Sequence, residues 1–281
     1  MPRIINTKTI QDALSKLITQ ASFNMNIETT KALEKSLKKE KSKTGKKFIK
    51  EILTNIQIAK KEKNPLCQDT GLALVFLEIG QEVQILGGDL EKAIQNTIGT
   101  SYTNNYLRKS VVSDPLKRIN TRDNTPAIIH TEILPGSKIK ITFIPKGGGS
   151  ENCSALKMLK PAAGLKGLEQ FVLDTVQQAQ ANPCPPIIVG IGIGGNFDYA
   201  AYLAKKALLR PLGQKHSKPY YRQVEKNLLH KINKLGIGPM GLGGKITALA
   251  VHIAEYPCHI ASFPVAINIQ CHANRVSSAI I

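Results

Sequence analysis

The chain has 281 residues, 42% of them hydrophobic, and its 38 Lys and Arg exceed its 20 Asp and Glu, giving a formal net charge of +18. This length fits one large domain or two small ones, and the hydrophobic content is ordinary for a globular protein. The longest apolar run, near 187–193, is far shorter than the roughly 20 residues that span a bilayer, and residues 1–17 lack the apolar core of a secretory signal, so we expect a cytoplasmic protein without membrane contact.

The positive charge is concentrated in two lysine-rich stretches, 31–63 and 205–234. Such a surface can attract nucleic acid or anionic metabolites, and it can equally be a solvated helix face balanced by an acidic partner. Aromatic residues make up only 5% of the chain, and no stretch interleaves them with basic residues as a single-strand-binding surface does. We therefore expect no nucleic acid partner, and a basic binding module for RNA or an acidic protein is the non-enzymatic alternative.

The first part of the chain is predicted to be helical. Apolar residues at helical spacing predict helices at 8–20, 28–40 and 48–59, with a loop at 41–47. The Asn64-Pro65 pair predicts a turn that leads to the first cysteine.

The middle of the chain mixes strands with one helix. Strands are predicted at 72–79 and 83–86, and Asp89 is placed to cap a helix over 90–102. The polar, turn-rich segment 108–125 predicts a long functional loop. The runs 127–134 and 137–145 flank Pro135-Gly136, which predicts a β-hairpin.

The last part of the chain alternates the two element types. The predicted helices are 164–179, 197–209 and 220–235, and the predicted strands are 187–193, 246–253 and 263–269. We find no repeat or domain linker. The prediction is a single α+β domain over 1–281, with a helical segment at about 1–63 and a part of mixed sheet, helices and glycine-rich loops around a cluster site at about 64–281.

Five cysteines are spread along the chain without a CxxC pair. The odd number argues against a disulfide framework, and the spacing argues against zinc-ribbon or thioredoxin sites. Three of them lie in polar or proline-rich segments: Cys67 in CQDTG, Cys184 in NPCPP and Cys271 in QCHANR. We interpret these three as the ligands of one iron–sulfur cluster, although burial as small hydrophobic residues is the common use of single cysteines.

Three thiolates on a cubane cluster leave one iron open, since such clusters usually take four cysteines. An open iron is a Lewis acid that can polarise a substrate C–O bond. A dehydration also needs a base for a carbon-bound proton, which Asp69 or His259 can supply, and Arg108 can hold a substrate carboxylate. An iron–sulfur protein for electron transfer or sensing is the alternative, and it would not need the Gln68-Asp69 pair.

Two glycine-rich segments suggest ligand contacts. The three glycines at 147–149 can approach a ligand closely and offer their amides, so Gly149 is a candidate substrate-binding residue, with a flexible linker as the alternative. The segment 190–195 fits GxGxxG, but no acidic residue occurs at 199–224, where a dinucleotide site would need one. We interpret this second segment as a glycine-lined wall beside the cluster.

Six motifs in a fixed order carry a resemblance to a known family. They are CQDTG at 67–71, GGGSEN at 147–152, CPP at 184–186, GIGIGG at 190–195, GLGG at 241–244 and CHANR at 271–275. This series, over about 53–275, resembles the class I fumarate hydratase / L(+)-tartrate dehydratase family, in its alpha subunit or N-terminal half.

The resemblance implies a [4Fe-4S] cluster whose three cysteine ligands match Cys67, Cys184 and Cys271. It implies that Gln68 and Asp69 contact substrate, and that the loop arginine and the cluster-side histidine match Arg108 and His259. This chain departs from the family pattern at Cys153 and Cys258, which we interpret as packing or incidental thiols, and at His272, which replaces an aromatic residue.

The implied activity is the reversible hydration of fumarate to L-malate, a step of the tricarboxylic acid cycle. Tartrate dehydration is the alternative, because the cluster motif does not distinguish the two dicarboxylates. The family's C-terminal half does not follow Cys271, so the resemblance implies a separate beta subunit, an α2β2 assembly, and an alpha chain that is inactive alone.

Overall fold

The computed structural model describes residues 2–281 and has an α+β fold, as predicted. Its α-helices are α1 (Thr7–Phe23), α2 (Ile27–Lys39), α3 (Lys43–Glu62), α4 (Leu90–Asn104), α5 (Gly148–Glu151), α6 (Gly164–Ala179), α7 (Phe197–Ala207) and α8 (Pro219–Lys234). Its strands are β1 (Arg3–Asn6), β2 (Leu72–Gly80), β3 (Val83–Leu86), β4 (Ile128–Leu134), β5 (Ile139–Lys146), β6 (Ala155–Leu159), β7 (Ile187–Gly195), β8 (Ala248–Cys258), β9 (Phe263–Gln270) and β10 (Ser277–Ile280).

The chain forms two compact units. Unit 1 comprises residues 2–26, 56–148 and 275–281, and unit 2 comprises 27–55 and 149–274. The boundary falls inside α3, so the helical segment predicted at 1–63 is shared between the units. The assignment of a single domain stays a prediction, which one cooperative unfolding transition would support.

Unit 1 is built on a four-stranded sheet in the order β10-β5-β2-β4, with β1 and β3 as a separate parallel pair. Its core is formed by the apolar stripes of α1 and α4 against the sheet, including Leu14, Ile98 and Phe143. Asp89 caps α4 as predicted, and its carboxylate accepts a hydrogen bond from the Lys92 N–H at 2.9 Å.

The predicted hairpin of β4 and β5 is wrong. β2 lies between them, parallel to β4 and antiparallel to β5. The turn after β2 fills the space that the hairpin would occupy, because the Glu82 N–H donates to the Gly136 carbonyl at 3.0 Å and the Gln81 N–H donates to the Leu134 carbonyl at 2.7 Å.

Unit 2 is built on a second sheet in the order β6-β9-β7-β8. The helices α6 and α8 pack on one face, against residues such as Val189 and Ile267. The other face is covered by α7, and a Cβ at Gly192 would lie 2.0 Å from the Ala200 carbonyl oxygen. The glycines at 190 and 192 therefore allow close helix–sheet packing, and the interpretation of this segment as a wall beside a cluster is wrong.

One carboxylate in unit 2 fixes the loop before β8. Glu40, which is 1% exposed, accepts hydrogen bonds from the backbone N–H groups of Lys41, Ser42, Lys245 and Ile246 at 2.7–2.9 Å. Burial alone would raise the pKa of Glu40, but these four amides outweigh it and hold the pKa below its ordinary value.

Four short regions differ from the sequence predictions. The loop predicted at 41–47 is mostly the start of α3, where the Ser42 hydroxyl accepts a hydrogen bond from the Gly45 N–H at 3.1 Å and so caps the helix. The strands β1, β6 and β10 were not predicted. Among residues 2–281, none of the helices combines the length and apolar character needed to cross a membrane.

Candidate active-site loops

The CQDTG segment of unit 1 forms a loop between α3 and β2 that fixes the carboxylate of Asp69. One carboxylate oxygen accepts a hydrogen bond from the Gly71 N–H at 3.0 Å and the other accepts one from the Gly148 N–H at 2.8 Å. A Cβ at Gly147 would lie 3.2 Å from the second oxygen. The glycine motif predicted to approach a ligand therefore approaches Asp69, and it sets the direction in which this half-buried carboxylate points.

Two buried side chains of unit 1 hold the backbone of the same loop, and a third, in the loop itself, bonds to Arg108. The Tyr102 hydroxyl donates to the Thr70 carbonyl at 2.9 Å, and the Asn124 side-chain amide donates to the Gly71 carbonyl at 3.1 Å. The Thr70 hydroxyl donates to the Arg108 carbonyl at 2.8 Å. The loop is thus positioned by side-chain hydrogen bonds from α4 and from the long loop that follows it.

Electrostatics keep Tyr102 protonated. Its burial raises the pKa of the phenol well above the ordinary value, and the negative charge of Asp69 adds to this rise while the positive charge of Arg275 opposes it. Arg275, only 2% exposed, places its guanidinium 3.8 Å from the position of a Cβ on Gly147. A buried cation therefore accompanies the Asp69 carboxylate in unit 1.

The predicted functional loop brings Arg108 to the CQDTG segment. Residues 105–127 contain no helix or named strand, and the loop is ordered by internal bonds such as that from the Ser110 N–H to the Asn124 side-chain oxygen at 2.7 Å. The backbone of Arg108 is fixed by Thr70, whereas its side chain is exposed, as is that of Gln68. Both side chains are free to reach a ligand from solvent.

Unit 2 brings two of the predicted cysteine ligands into neighbouring loops. Cys184 precedes β7 and Cys271 follows β9, and these strands are antiparallel neighbours. His272 connects the two loops, since its ring Nδ1 lies 2.9 Å from the Cys184 carbonyl oxygen and its N–H donates to the same oxygen at 3.4 Å. His272, one of the residues that depart from the family pattern, therefore links the two cysteine segments.

The backbone of Cys184 is in the left-handed region, with a φ of 54°. This conformation costs a non-glycine residue on the order of 1 kcal/mol, so the surrounding structure must hold it. Pro183, Pro185 and Pro186 are buried around it, and the Pro185 carbonyl accepts a hydrogen bond from the Met240 N–H at 2.9 Å. The GLGG motif region thus supports the loop of the second cysteine.

The glycine motif of unit 2 is anchored by its glutamate. Glu151 forms an ion pair with Lys205 and accepts a hydrogen bond from the Asn268 side chain at 2.8 Å. Asn268 also donates to the Ser154 hydroxyl at 2.8 Å. Gly149 is exposed at the start of this segment, and a Cβ there would lie 3.2 Å from the Asn182 carbonyl oxygen.

The structure does not bring His259 to the cysteines of unit 2. His259 is exposed in the turn between β8 and β9, whereas Cys184 and Cys271 lie at the opposite end of the sheet. The eight residues of β9 separate the two ends by roughly 26 Å at about 3.3 Å per residue. The two surplus thiols lie in different environments. Cys153 packs partly against the core, and Cys258 is exposed beside His259.

Comparison with known proteins shows which family the chain resembles. The family model described as fumarate hydratase (fumerase) matches residues 11–280. The chain is 46% identical over 274 residues, 95% of both chains, to the putative L(+)-tartrate dehydratase subunit alpha of Methanocaldococcus jannaschii. It is 32% identical over 240 residues, 84% of this chain and 78% of the relative, to the L(+)-tartrate dehydratase subunit alpha of Escherichia coli (strain UTI89 / UPEC).

The chain belongs to the fumarate hydratase family. The resemblance carried by the six ordered motifs is therefore confirmed, together with its alpha-subunit type, and the protein is a hydro-lyase. The loops described above contain the motifs that the chain shares with the fumarate hydratase family, so they are the candidate active-site loops.

The predicted cluster ligands fit an iron–sulfur cluster in their chemistry. Cys67, Cys184 and Cys271 are half-buried thiols on loops. Among residues 2–281, no three His, Cys, Asp or Glu side chains converge on a single metal ion. A cluster does not require such convergence, because each of its irons takes its own thiolate.

Sequence reasoning missed the residues that hold these loops. Tyr102 lies at the end of a predicted helix, and Asn124 and Asn268 belong to none of the six motifs. Their signal is that a buried polar side chain needs a hydrogen-bond partner, and here the partners are backbone groups and side chains of the motif segments.

Proposed function

We propose that this chain is the alpha subunit of an iron–sulfur hydro-lyase that catalyses the reversible hydration of fumarate to L-malate. The observation that carries the proposal is the Asp69 carboxylate, which the CQDTG loop and the glycine motif hold with two backbone amides. L(+)-tartrate dehydration is the second candidate, and the names of the relatives favour it.

Cys67, Cys184 and Cys271 are the proposed ligands of a [4Fe-4S] cluster. When bound, the cluster would supply one iron without a cysteine ligand, a Lewis acid that could polarise the C–O bond of the substrate. His272 supports this assignment in unit 2, since it ties the loops of Cys184 and Cys271 together at one carbonyl.

Asp69 is the proposed base that removes the proton from the substrate carbon next to the C–O bond. Each of its oxygens uses one lone pair for a backbone amide and keeps another for the substrate proton. Because both bonds come from rigid backbone, the carboxylate does not have to reorganise when the proton moves. In the hydration direction the protonated Asp69 returns this proton to the same carbon.

Substrate carboxylates are assigned to Arg108, Gln68 and the amide of Gly149. An arginine guanidinium binds a carboxylate through two parallel hydrogen bonds, which fixes its orientation. The exposed Arg108 and Gln68 side chains are available for such contacts, and their backbone is held by the CQDTG loop.

His259 is the proposed second acid or base, and its position sets a condition. A substrate held at the cysteine end of the unit 2 sheet is roughly 26 Å from His259 of the same chain. His259 can therefore act only in a site to which a second copy of the chain contributes it. An α2β2 assembly, with a beta subunit that carries the rest of the site, supplies such a second copy. We assign the enzyme to the cytoplasm and to the tricarboxylic acid cycle.

The test is to co-express the chain with candidate beta subunits and to reconstitute the complex anaerobically with iron and sulfide. We expect about four irons per alpha chain, lost in Cys67→Ser, Cys184→Ser and Cys271→Ser but retained in Cys153→Ser and Cys258→Ser. A higher kcat/KM for fumarate than for L(+)-tartrate supports the first candidate, and the reverse supports the second. Iron uptake that depends on Cys153 or Cys258 would contradict the ligand assignment.

The His259 assignment has its own test in mixed assemblies. An assembly that contains only Asp69→Asn alpha chains, or only His259→Asn alpha chains, is expected to be inactive. Assemblies that contain one chain of each kind should recover part of the activity, because one of their sites then has both native residues. Absence of any recovery in a confirmed mixed assembly would contradict a contribution from the second copy.

A further inference from the structure

A groove in unit 2 combines an apolar floor with a rim of cations. It has a volume of about 740 Å³ and lies between α2 and α8, over the start of β8. The floor is aliphatic, formed by residues such as Leu229, Ala248 and Leu249. We call this feature the basic groove, and none of the six motifs that identify the family contributes a residue to it.

The basic side chains of the rim come from two facing helices and one loop. Lys31, Lys35 and Lys39 follow one another at spacings of four on α2, so they form a row about 12 Å long. Lys226 and His230 have the same spacing on α8. Lys245 completes the rim, and the full set is Lys31, Lys35, Lys39, Lys226, His230 and Lys245.

The rim carries far more positive than negative charge. Five lysines line the groove, and Glu28 is the one carboxylate among the lining residues that the structure describes. Within residues 2–281, no ion pair involves any of these five lysines. Like charges at a spacing of four on a helix repel each other, so an anion bound between them would relieve this repulsion.

The basic groove is preformed rather than assembled by a ligand. The buried Glu40 carboxylate at the end of α2 binds the amides of Lys245 and Ile246, and Ile246 is part of the groove lining. This bond fixes the loop that carries Lys245 against the helix that carries Lys39. A preformed site loses less conformational entropy when its ligand binds.

We propose that the basic groove binds a small metabolite that carries several phosphate charges on an apolar body. The volume lies within the roughly 300–1,000 Å³ of small-molecule sites, and lysine is a usual partner of phosphate. Lysine is depleted at protein–protein interfaces, which argues against a protein partner. The lining contains no Phe, Tyr or Trp on which the bases of a nucleic acid strand would stack.

The groove is connected to the loop of the second proposed cluster ligand. Ala248 in its floor is the register partner of Ile187, which follows Cys184 by three residues. The same loop that carries Lys245 also donates the Met240 N–H to Pro185. Ligand binding should therefore slow the exchange of the Met240 amide, which hydrogen exchange can measure.

The test uses calorimetric titration of the full chain in its complex with three probes: ATP, inorganic tripolyphosphate and adenosine. We expect ATP to bind about tenfold or more tightly than tripolyphosphate, and adenosine to bind least, because the site needs both charge and an apolar body. Lys35→Gln combined with Lys39→Gln should weaken ATP binding about tenfold or more. Lys46→Gln combined with Lys47→Gln removes the same charge from the exposed face of α3 and should leave ATP binding within about twofold.

A second variant tests the floor while all the cations stay. Ala32→Phe fills the groove and should remove the preference for ATP over tripolyphosphate. Equal affinity for ATP and tripolyphosphate in the native protein, or equal losses in the two lysine double variants, would overturn the proposal. Protection of Lys35 and Lys39 from acetylation by the beta subunit would also overturn it, because the groove would then be a subunit interface.

Discussion

The two units fix their site loops by different means. In unit 1 the neutral side chains of Tyr102 and Asn124 donate hydrogen bonds to the backbone of the CQDTG loop, and the loop's own Thr70 hydroxyl donates to the Arg108 carbonyl. In unit 2 the loop of Cys184 is held by buried prolines and backbone bonds, and the supporting loop before β8 is held by the charged Glu40. The first loop therefore depends on particular side chains, and the second depends on backbone conformation and on one ionised carboxylate.

This difference has a chemical consequence for the two loops. The loop of unit 1 must orient a carboxylate, and side-chain bonds to the flanking carbonyls set its direction. The loop of unit 2 has to present a thiol, and the left-handed backbone at Cys184 sets the direction of this side chain. Substitutions can therefore separate the two modes of support.

The largest effect is expected for Asp69→Asn in the holoenzyme complex. The amide cannot accept the substrate proton, so turnover should fall by about 10²–10⁴-fold while the visible absorption of the cluster is unchanged. Asp12→Asn, which alters an exposed carboxylate of the same unit, should leave turnover unchanged. Native turnover in Asp69→Asn would mean that this carboxylate only supports the loop.

Asn124→Ala removes both a donor and an acceptor from the side-chain support of unit 1. Asn124 is fully buried and has a φ of 66°, so the variant removes one of the two side-chain donors to the Gly71 carbonyl, removes the acceptor of the Ser110 N–H, and strains an alanine. We expect a loss of about 3 kcal/mol in the free energy of unfolding, measured by urea titration. The exposed Asn120→Ala in the same loop should cost less than about 1 kcal/mol, and similar losses in both variants would contradict the assigned role.

Glu40→Gln tests the charged support of unit 2. The neutral amide cannot accept four backbone hydrogen bonds, so we expect a loss of about 2 kcal/mol in the free energy of unfolding at pH 7. The exposed Glu34→Gln on the same helix is the matched control, for which a change below about 0.5 kcal/mol is expected.

The pH dependence of this contribution follows from the lowered pKa of Glu40. The unfolded chain binds the proton more readily than the folded one, so the stabilisation is full above the ordinary pKa near 4.5 and is lost as the pH falls through the folded-state pKa. The exchange of the Ile246 amide should therefore accelerate in acid relative to that of the Ser110 amide, which a neutral Asn124 holds. Equal acceleration of both amides would contradict the difference between the units.

The smallest effect is expected when cysteines are replaced by glycine. Cys184→Gly should leave the free energy of unfolding unchanged or raise it by up to about 1 kcal/mol, because glycine adopts its positive φ without strain. Cys67→Gly should lower it by about 0.5–1 kcal/mol, since only backbone entropy changes there. Both variants should lose iron, and an equal stability change in the two would show that the Cys184 conformation is not strained.

Local patterns were enough to predict the elements but not their arrangement. The helices α1, α6 and α8 and the buried strands β2 and β9 lie within two or three residues of their predicted positions, because apolar periodicity and capping residues act locally. The β4–β5 hairpin failed because its turn signal is local, whereas the insertion of β2 between the strands depends on contacts between residues 54 to 74 positions apart. The short, half-exposed β6 (ALKML) has too little alternation to be recognised.

In the candidate site, too, local sequence identifies some residues, whereas the positions of others depend on the fold. The CQDTG segment identified Asp69 directly, and the order of the six motifs identified the family. The placement of His259 could not be predicted, because the direction of β8 and β9 decides at which end of the sheet it lies. Lysine periodicity on α2 is visible in the sequence, but the facing residues on α8 and in the loop at 245 are brought to it only by the fold.

The discontinuous path of the chain has a consequence for its synthesis. Unit 1 gathers segments from both ends of the described chain, and β10 completes its sheet by pairing with β5 across more than 130 residues. During translation the sheet of unit 1 must wait with an open β5 edge while the ribosome produces residues 149–274 of unit 2. Such long-range pairing is slow, so unit 2 should mature before the sheet of unit 1 is complete.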